Sequence, residues 1–141
     1  MIRISVVTCV LLGAAWSTAC GSTPTAPSSP PVARVTGTVT YLPRIALPPT
    51  AVVEVTLADV SRADAPMIVV STQRLETLGL QVPFAYSLTY DTATIDDRLT
   101  YAVSARITDV GRLLFVSTRR YAVITRGSPT SNVEVVVDQV S

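Results

Sequence analysis

Cys20, in the stretch Trp16-Ser17-Thr18-Ala19-Cys20-Gly21-Ser22, is the residue best placed for covalent chemistry. It follows three small residues and an apolar run, Ile4 to Trp16, that is itself preceded by Arg3 and the chain's amino group. Those are the charged, apolar and small-residue parts of a secretory signal. The run is shorter than the roughly twenty residues a membrane-spanning helix requires. An ordinary signal peptidase could read Ser17 and Ala19, and a lipoprotein signal peptidase could read Cys20. Either would leave Cys20 as the first mature residue. Cysteine arithmetic favours the second, because the other cysteine, Cys9, lies within the signal and leaves with it. The mature chain then has one thiol with no intrachain partner, a liability in an oxidising compartment that acylation removes. The stretch is similar to a bacterial lipobox, with Ser17 where that pattern usually has Leu. Two or more acyl chains, each buried methylene contributing about 0.8 kcal/mol, give lasting attachment to a bilayer.

The second group of candidates is carboxylic. Asp91, Asp96 and Asp97 fall in one short segment. A glycosidase needs two carboxyl groups roughly 5 to 9.5 Å apart, and a glycan or calcium contact needs less. The segment lacks the spacing, glycine and final glutamate of an EF-hand loop. The structural reading is that Asp91 and Asp96 cap turns through backbone amides, with Arg98 or Arg106 pairing nearby. Arg119, Arg120 and Arg126 could meet an acidic partner or lipid headgroups, or simply form a solvated face. Ser61, Arg62 and Asp64 in Ser-Arg-Ala-Asp-Ala-Pro suit a tight turn better than a recognition knob. Tyr86, Tyr90, Tyr101 and Tyr121 could stack on sugar, but their alternation with aliphatic residues suits packing.

The residues that are missing narrow the chemistry further. The chain has no histidine and no lysine. That excludes Ser-His-Asp and Cys-His pairs, a Schiff-base lysine and a nitrogen or sulfur metal cage. No enzymatic activity, cofactor or metal is expected. Eleven arginines face ten carboxylates, and Arg3 belongs to the signal, so no basic footprint for nucleic acid remains.

These side chains must be held by strands. After Cys20 comes Gly21 to Val32, with four prolines and almost no large apolar group, which reads as a tether of up to roughly 35 Å in extended form. From residue 33 the apolar period is two. Val35, Gly37, Val39 and Tyr41 share one strand face. Similar alternation covers 52–60, 67–75, 82–90, 100–108, 113–118, 121–125 and 133–140. Gly111 can supply the positive φ of a tight hairpin. Only 92–98 could hold a helical turn. Seven or eight short strands with Pro and Gly breaks predict an all-β, antiparallel two-sheet sandwich. Val135, Val136 and Val137 predict that the last strand is covered on both faces, inside a sheet or beneath a neighbour. The expected organisation is a signal over 1–19, a tether over 20–32 and one sandwich domain over 33–141, monomeric in solution.

The blocks Val-Thr-Gly-Thr-Val-Thr-Tyr (35–41), Asp-Val-Ser-Arg-Ala-Asp-Ala-Pro (59–66), the segment from Tyr90 to Phe115, and Val-Ile-Thr-Arg-Gly (123–127) resemble the YbaY family of bacterial lipoproteins. That family is grouped with the YscW-type pilot lipoproteins of type III secretion. The resemblance runs from Val35 to Val137, with departures at Thr50, Thr92 and Asp97, all in loops. It implies a β-sandwich anchored to the outer membrane on its periplasmic face, and Ser22, rather than Asp, just after the cysteine fits that destination. For the pilot members it implies escort of a secretin. The expected function is a non-catalytic binding or assembly accessory of the envelope. The alternatives are a secretin pilot and an envelope structural or polysaccharide-related factor.

Overall fold

The computed structural model describes Gly21 and residues 29–141; Cys20 and most of the proline-rich stretch lie outside the described residues. Among the described residues nine strands follow in order: β1 (Val32–Thr40), β2 (Ala51–Asp59), β3 (Ile68–Glu76), β4 (Phe84–Asp91), β5 (Tyr101–Asp109), β6 (Arg112–Val116), β7 (Tyr121–Val123), β8 (Val133–Val136) and β9 (Asp138–Gln139). Among the described residues, a 3-10 turn at Thr92–Thr94 is the helical element the sequence allowed for.

The strands form two layers. One sheet has the order β4-β1-β8; the other runs β3-β2-β5-β6-β9, with β7 pairing β5 beside β6. The period of two explains the assembly. In β2, Ala51, Val53, Val55 and Leu57 point inward, and in β5 Tyr101, Val103, Ala105 and Ile107 do the same. The opposite sheet answers with Val35 and Val39 from β1 and Phe84, Tyr86, Leu88 and Tyr90 from β4. A face built this way must bury against a second such face, which yields the all-β sandwich. Tyr86, Tyr90 and Tyr101 are therefore core residues rather than a sugar platform.

Two expectations about the last strand need correction. Residues 133–140 form two short strands, β8 in the smaller sheet and β9 in the larger. Val133 and Val135 face inward from β8, and Val137, at the crossover, stays fully buried while the chain changes sheets. The valine run thus marks a crossing of the core. β8 is also an edge strand, and it pairs β1 in parallel, from Gly37↔Val133 to Thr40↔Val136. Its backbone is not bare: the Tyr121 hydroxyl accepts from Val136 N at 2.9 Å and donates to Val136 O at 3.2 Å.

Close approach of β1 to β8, and the reach of Tyr86 from β4 over β1, depend on one glycine. A Cβ at Gly37 would lie 1.9 Å from the Val133 carbonyl oxygen and 2.7 Å from the Tyr86 hydroxyl. Without it, Tyr86 reaches across and donates to Val133 O at 2.9 Å. The β5–β6 hairpin has φ of 44° at Val110 and 78° at Gly111, the mirror-type turn that suits strand twist.

Candidate interaction surface

The acidic segment proves to be a set of local caps. Asp91 accepts from Ala93 N at 2.8 Å and opens the 3-10 turn. Asp96 accepts from the Arg98 backbone N at 2.9 Å and from its guanidinium at 3.0 and 2.7 Å. The side-chain and then the backbone hydrogen bonds from Arg98 lower the Asp96 carboxyl to about 2, and the same pairing raises Arg98. Asp97 is exposed. Among the described residues no cluster of histidine, cysteine and carboxylate side chains could hold a metal ion. Arg126 joins this loop through a 3.2 Å bond to the Arg98 carbonyl. Ser61 likewise ties turns together: it donates to Asp59, and its hydroxyl oxygen accepts from Thr100 N at 2.7 Å.

Arg119 and Arg120 are placed elsewhere, and the three arginines do not form one patch with a shared contact. The two adjacent arginines line a cleft of about 290 Å³ with Ala58, Val60, Met67, Ala102 and Ser104. A second cleft, of about 440 Å³, shares Met67, Ser104 and Ser117 with the first and extends to Glu54 and Arg106. Together they make one groove across the outer face of the larger sheet. Strand register explains its shape. Thr56 pairs Ser104 and Ala58 pairs Ala102 across β2 and β5, so the floor is low. Met67 and Val69 rise on one side, about half exposed at 54% and 55%, and Val116 to Arg120 rise on the other.

The charges are unequal along this groove. Glu54 is held by an ion pair with Arg106. Arg119 and Arg120 make no ion pair among the described residues. Sequence reasoning found the two arginines but missed Met67, Ser104 and Ser117. The available signal was the run of small outward residues, Thr56, Ala58, Ala102 and Ser104, on two strands whose pairing no local pattern specifies.

The family model for the type III secretion system lipoprotein chaperone YscW matches residues 30–135, most of the chain. The chain belongs to the YscW family. Within that family's reach it is 36% identical over 102 residues to the uncharacterized lipoprotein YbaY of Escherichia coli (strain K12), covering 72% of this chain and 54% of that protein. The chain thus spans about half the length of the curated relative it matches. Among solved structures, an alternative pilotin from the type II secretion system of Vibrio cholerae superposes with a TM-score of 0.71 at 40% identity. That match covers 77% of this chain and 99% of the pilotin. The YscW family and its sandwich fold therefore agree with the resemblance drawn from the sequence blocks.

Proposed function

We propose that this chain is a bacterial lipoprotein, acylated at Cys20, that acts as a non-catalytic assembly accessory for an outer-membrane secretin. The observation that carries this reading is the pilotin match, which spans essentially the whole of the pilotin at 40% identity rather than one shared motif. The family model, whose description is a secretion-system lipoprotein chaperone, supports the same role. In this reading residues 1–19 are a cleaved signal, 20–32 tether the domain to the periplasmic face of the outer membrane, and 33–141 engage the client.

The chemistry fits an escort. A groove with fixed cations but no reactive pair can hold a segment without altering it, and an acyl anchor supplies the destination. The test is to delete the gene in its own host and follow a resident secretin by membrane fractionation and by its detergent-resistant multimer. The expected result is loss of outer-membrane multimer, restored by the wild-type chain but not by Cys20→Ser. Normal secretin multimers in the deletion strain would overturn the proposal.

A further inference from the structure

We infer that the loop tips at the end of the sandwich opposite the chain's entry insert their leucines into the bilayer that holds the anchor, as a second membrane contact; this rests on the acylation at Cys20 proposed above. Register brings the tips together. Val39 pairs Phe84, Val52 pairs Glu76 and Ala51 pairs Asp109, so the β1–β2 loop (41–50), the β3–β4 loop (77–83) and the β5–β6 turn all leave the strands at one end. There Leu42, Leu78, Leu80 and Val110 are 67% to 87% exposed, more than any other large hydrophobic side chain among the described residues. The β4–β5 loop at the other end presents Asp97 and Arg98 to water instead.

Backbone accounting favours lipid as the occupant. Leu80 N donates to Thr77 O at 2.8 Å and Ile45 N to Pro43 O at 3.0 Å, while the Gln81 amide accepts from Leu47 N at 2.8 Å and donates to Leu47 O at 3.3 Å. Pro43, Pro48, Pro49 and Pro83 have no N–H to satisfy. These groups can leave water without losing a partner, and a fluid acyl layer accepts side chains from separate turns without a matching shape. Arg44 and Arg112 are balanced at this end by Glu76 and Asp109, the last of which accepts from the Thr50 hydroxyl. Apolar insertion therefore carries the contact, with the arginine stems along it and their guanidinium groups at phosphate depth. The anchor supplies the reach. The chain enters at the far end of the nine-residue strand β1, about 30 Å away, and the stretch 20–31 extends to roughly 35 Å. The domain can thus stand on its tips with the tether running back beside it. Those side chains alone hold weakly, but a tether raises their effective concentration to about the millimolar range, so a Cys20→Ser chain still stays soluble.

The test places the full mature chain in vesicles of phosphatidylethanolamine and phosphatidylglycerol with brominated acyl chains, carrying Leu80→Trp at a tip or Ala93→Trp at the other end, an exposed position. Trp16 leaves with the signal in this reading, so the introduced tryptophan is the only one. The expected result is blue-shifted, bromine-quenched emission for Leu80→Trp and neither effect for Ala93→Trp. Adding Leu42→Ser, Leu78→Ser and Val110→Ser should lower the ratio of inserted to free tips by about tenfold or more. Deleting 23–28, which cuts the reach to roughly 18 Å, should abolish the quenching while the chain stays membrane-bound. Quenching equal at both positions, absent at both, undiminished by the serines or unaffected by the deletion would each overturn the inference. So would a blue shift that bromine leaves unquenched, because the tips then meet protein, whether a client or a second copy. Thermal unfolding of the serine variant, expected at the wild-type temperature because the replaced side chains are exposed, separates lost insertion from lost fold; if it melts early, Leu42→Ser alone is read, with weaker quenching still expected. Mass spectrometry of the same preparation tests the anchor by itself. A bare thiol on residue 20 would sink the lipoprotein reading; Cys20 is then coupled to a maleimide lipid in the vesicles, and the quenching still decides whether the tips insert.

Discussion

At the scale of single residues, side chains that could have done chemistry mostly hold turns in place. Asp96 is the clearest case, because its two oxygens are occupied by one neighbouring arginine. Its carboxyl is expected to titrate at about 2 by NMR, and to rise in Arg98→Ala while staying below the ordinary carboxylate value, because the backbone N–H of residue 98 still donates to it. The sign is that of a lowered acid. The pairing favours the fold above the unfolded carboxylate pKa, near 4, and is lost as pH falls toward 2; at an exposed site the effect is small. Tyr86 runs the other way. Burial pushes its hydroxyl up to about 12. The unfolded chain therefore releases this proton near pH 10 while the native state keeps it, so stability should fall between about pH 10 and 12. Urea unfolding across that range should show the slope in wild type and its reduction in Tyr86→Phe, which at neutral pH costs about 1–2 kcal/mol for the lost bond to Val133. Gly37→Ala should be worse, about 3 kcal/mol by the same measurement, because the new methyl meets backbone rather than a flexible side-chain end.

At the scale of elements, the β8–β9 crossover sets how the two sheets are joined. Val135 and Val137 are fully buried although Val136 between them is only partly so. Val135→Ala and Val137→Ala should each cost about 2 kcal/mol, and Val136→Ala less than about 1 kcal/mol, in equilibrium denaturation. Equal costs at all three positions would fit a single strand covered on both faces, the arrangement the valine run alone suggested. Tyr121 contributes at this scale too. By bonding both the N–H and the C=O of Val136 it occupies backbone groups on an edge strand that would otherwise invite another chain.

At the scale of the whole molecule, the sandwich closes its own core between Val35 and Val137. Anchoring and folding should therefore separate. A Cys20→Ser chain should unfold at the wild-type temperature in calorimetry, yet partition into the soluble fraction and fail to incorporate labelled palmitate. A lowered unfolding temperature would mean that the anchor region packs on the domain. The strand β1 begins at Val32, and Pro31 O accepts from Thr92, so the chain enters the domain beside the β4–β5 loop. The same end carries Asp96, Arg98 and Arg126. Leu42, Leu78, Leu80 and Val110, all more than half exposed, lie in loops at the opposite end of the strands.

The sequence by itself determined the strands, because a period of two, with Pro and Gly between runs, reports each residue's immediate neighbours and the face it turns to water. It also determined the caps, since Asp91 and Asp96 bond within three residues, and the absence of histidine and lysine, which is a matter of composition. Family membership was legible for the same local reason, as contiguous blocks. Tertiary structure alone decided the parallel pairing of β8 with β1, the crossing at Val137, and the grouping of Met67, Ser104 and Ser117 with Arg119 and Arg120. Those depend on which strands lie side by side and in what register. Such pairing is fixed by the summed burial of residues far apart in the chain, and no single stretch of sequence records it.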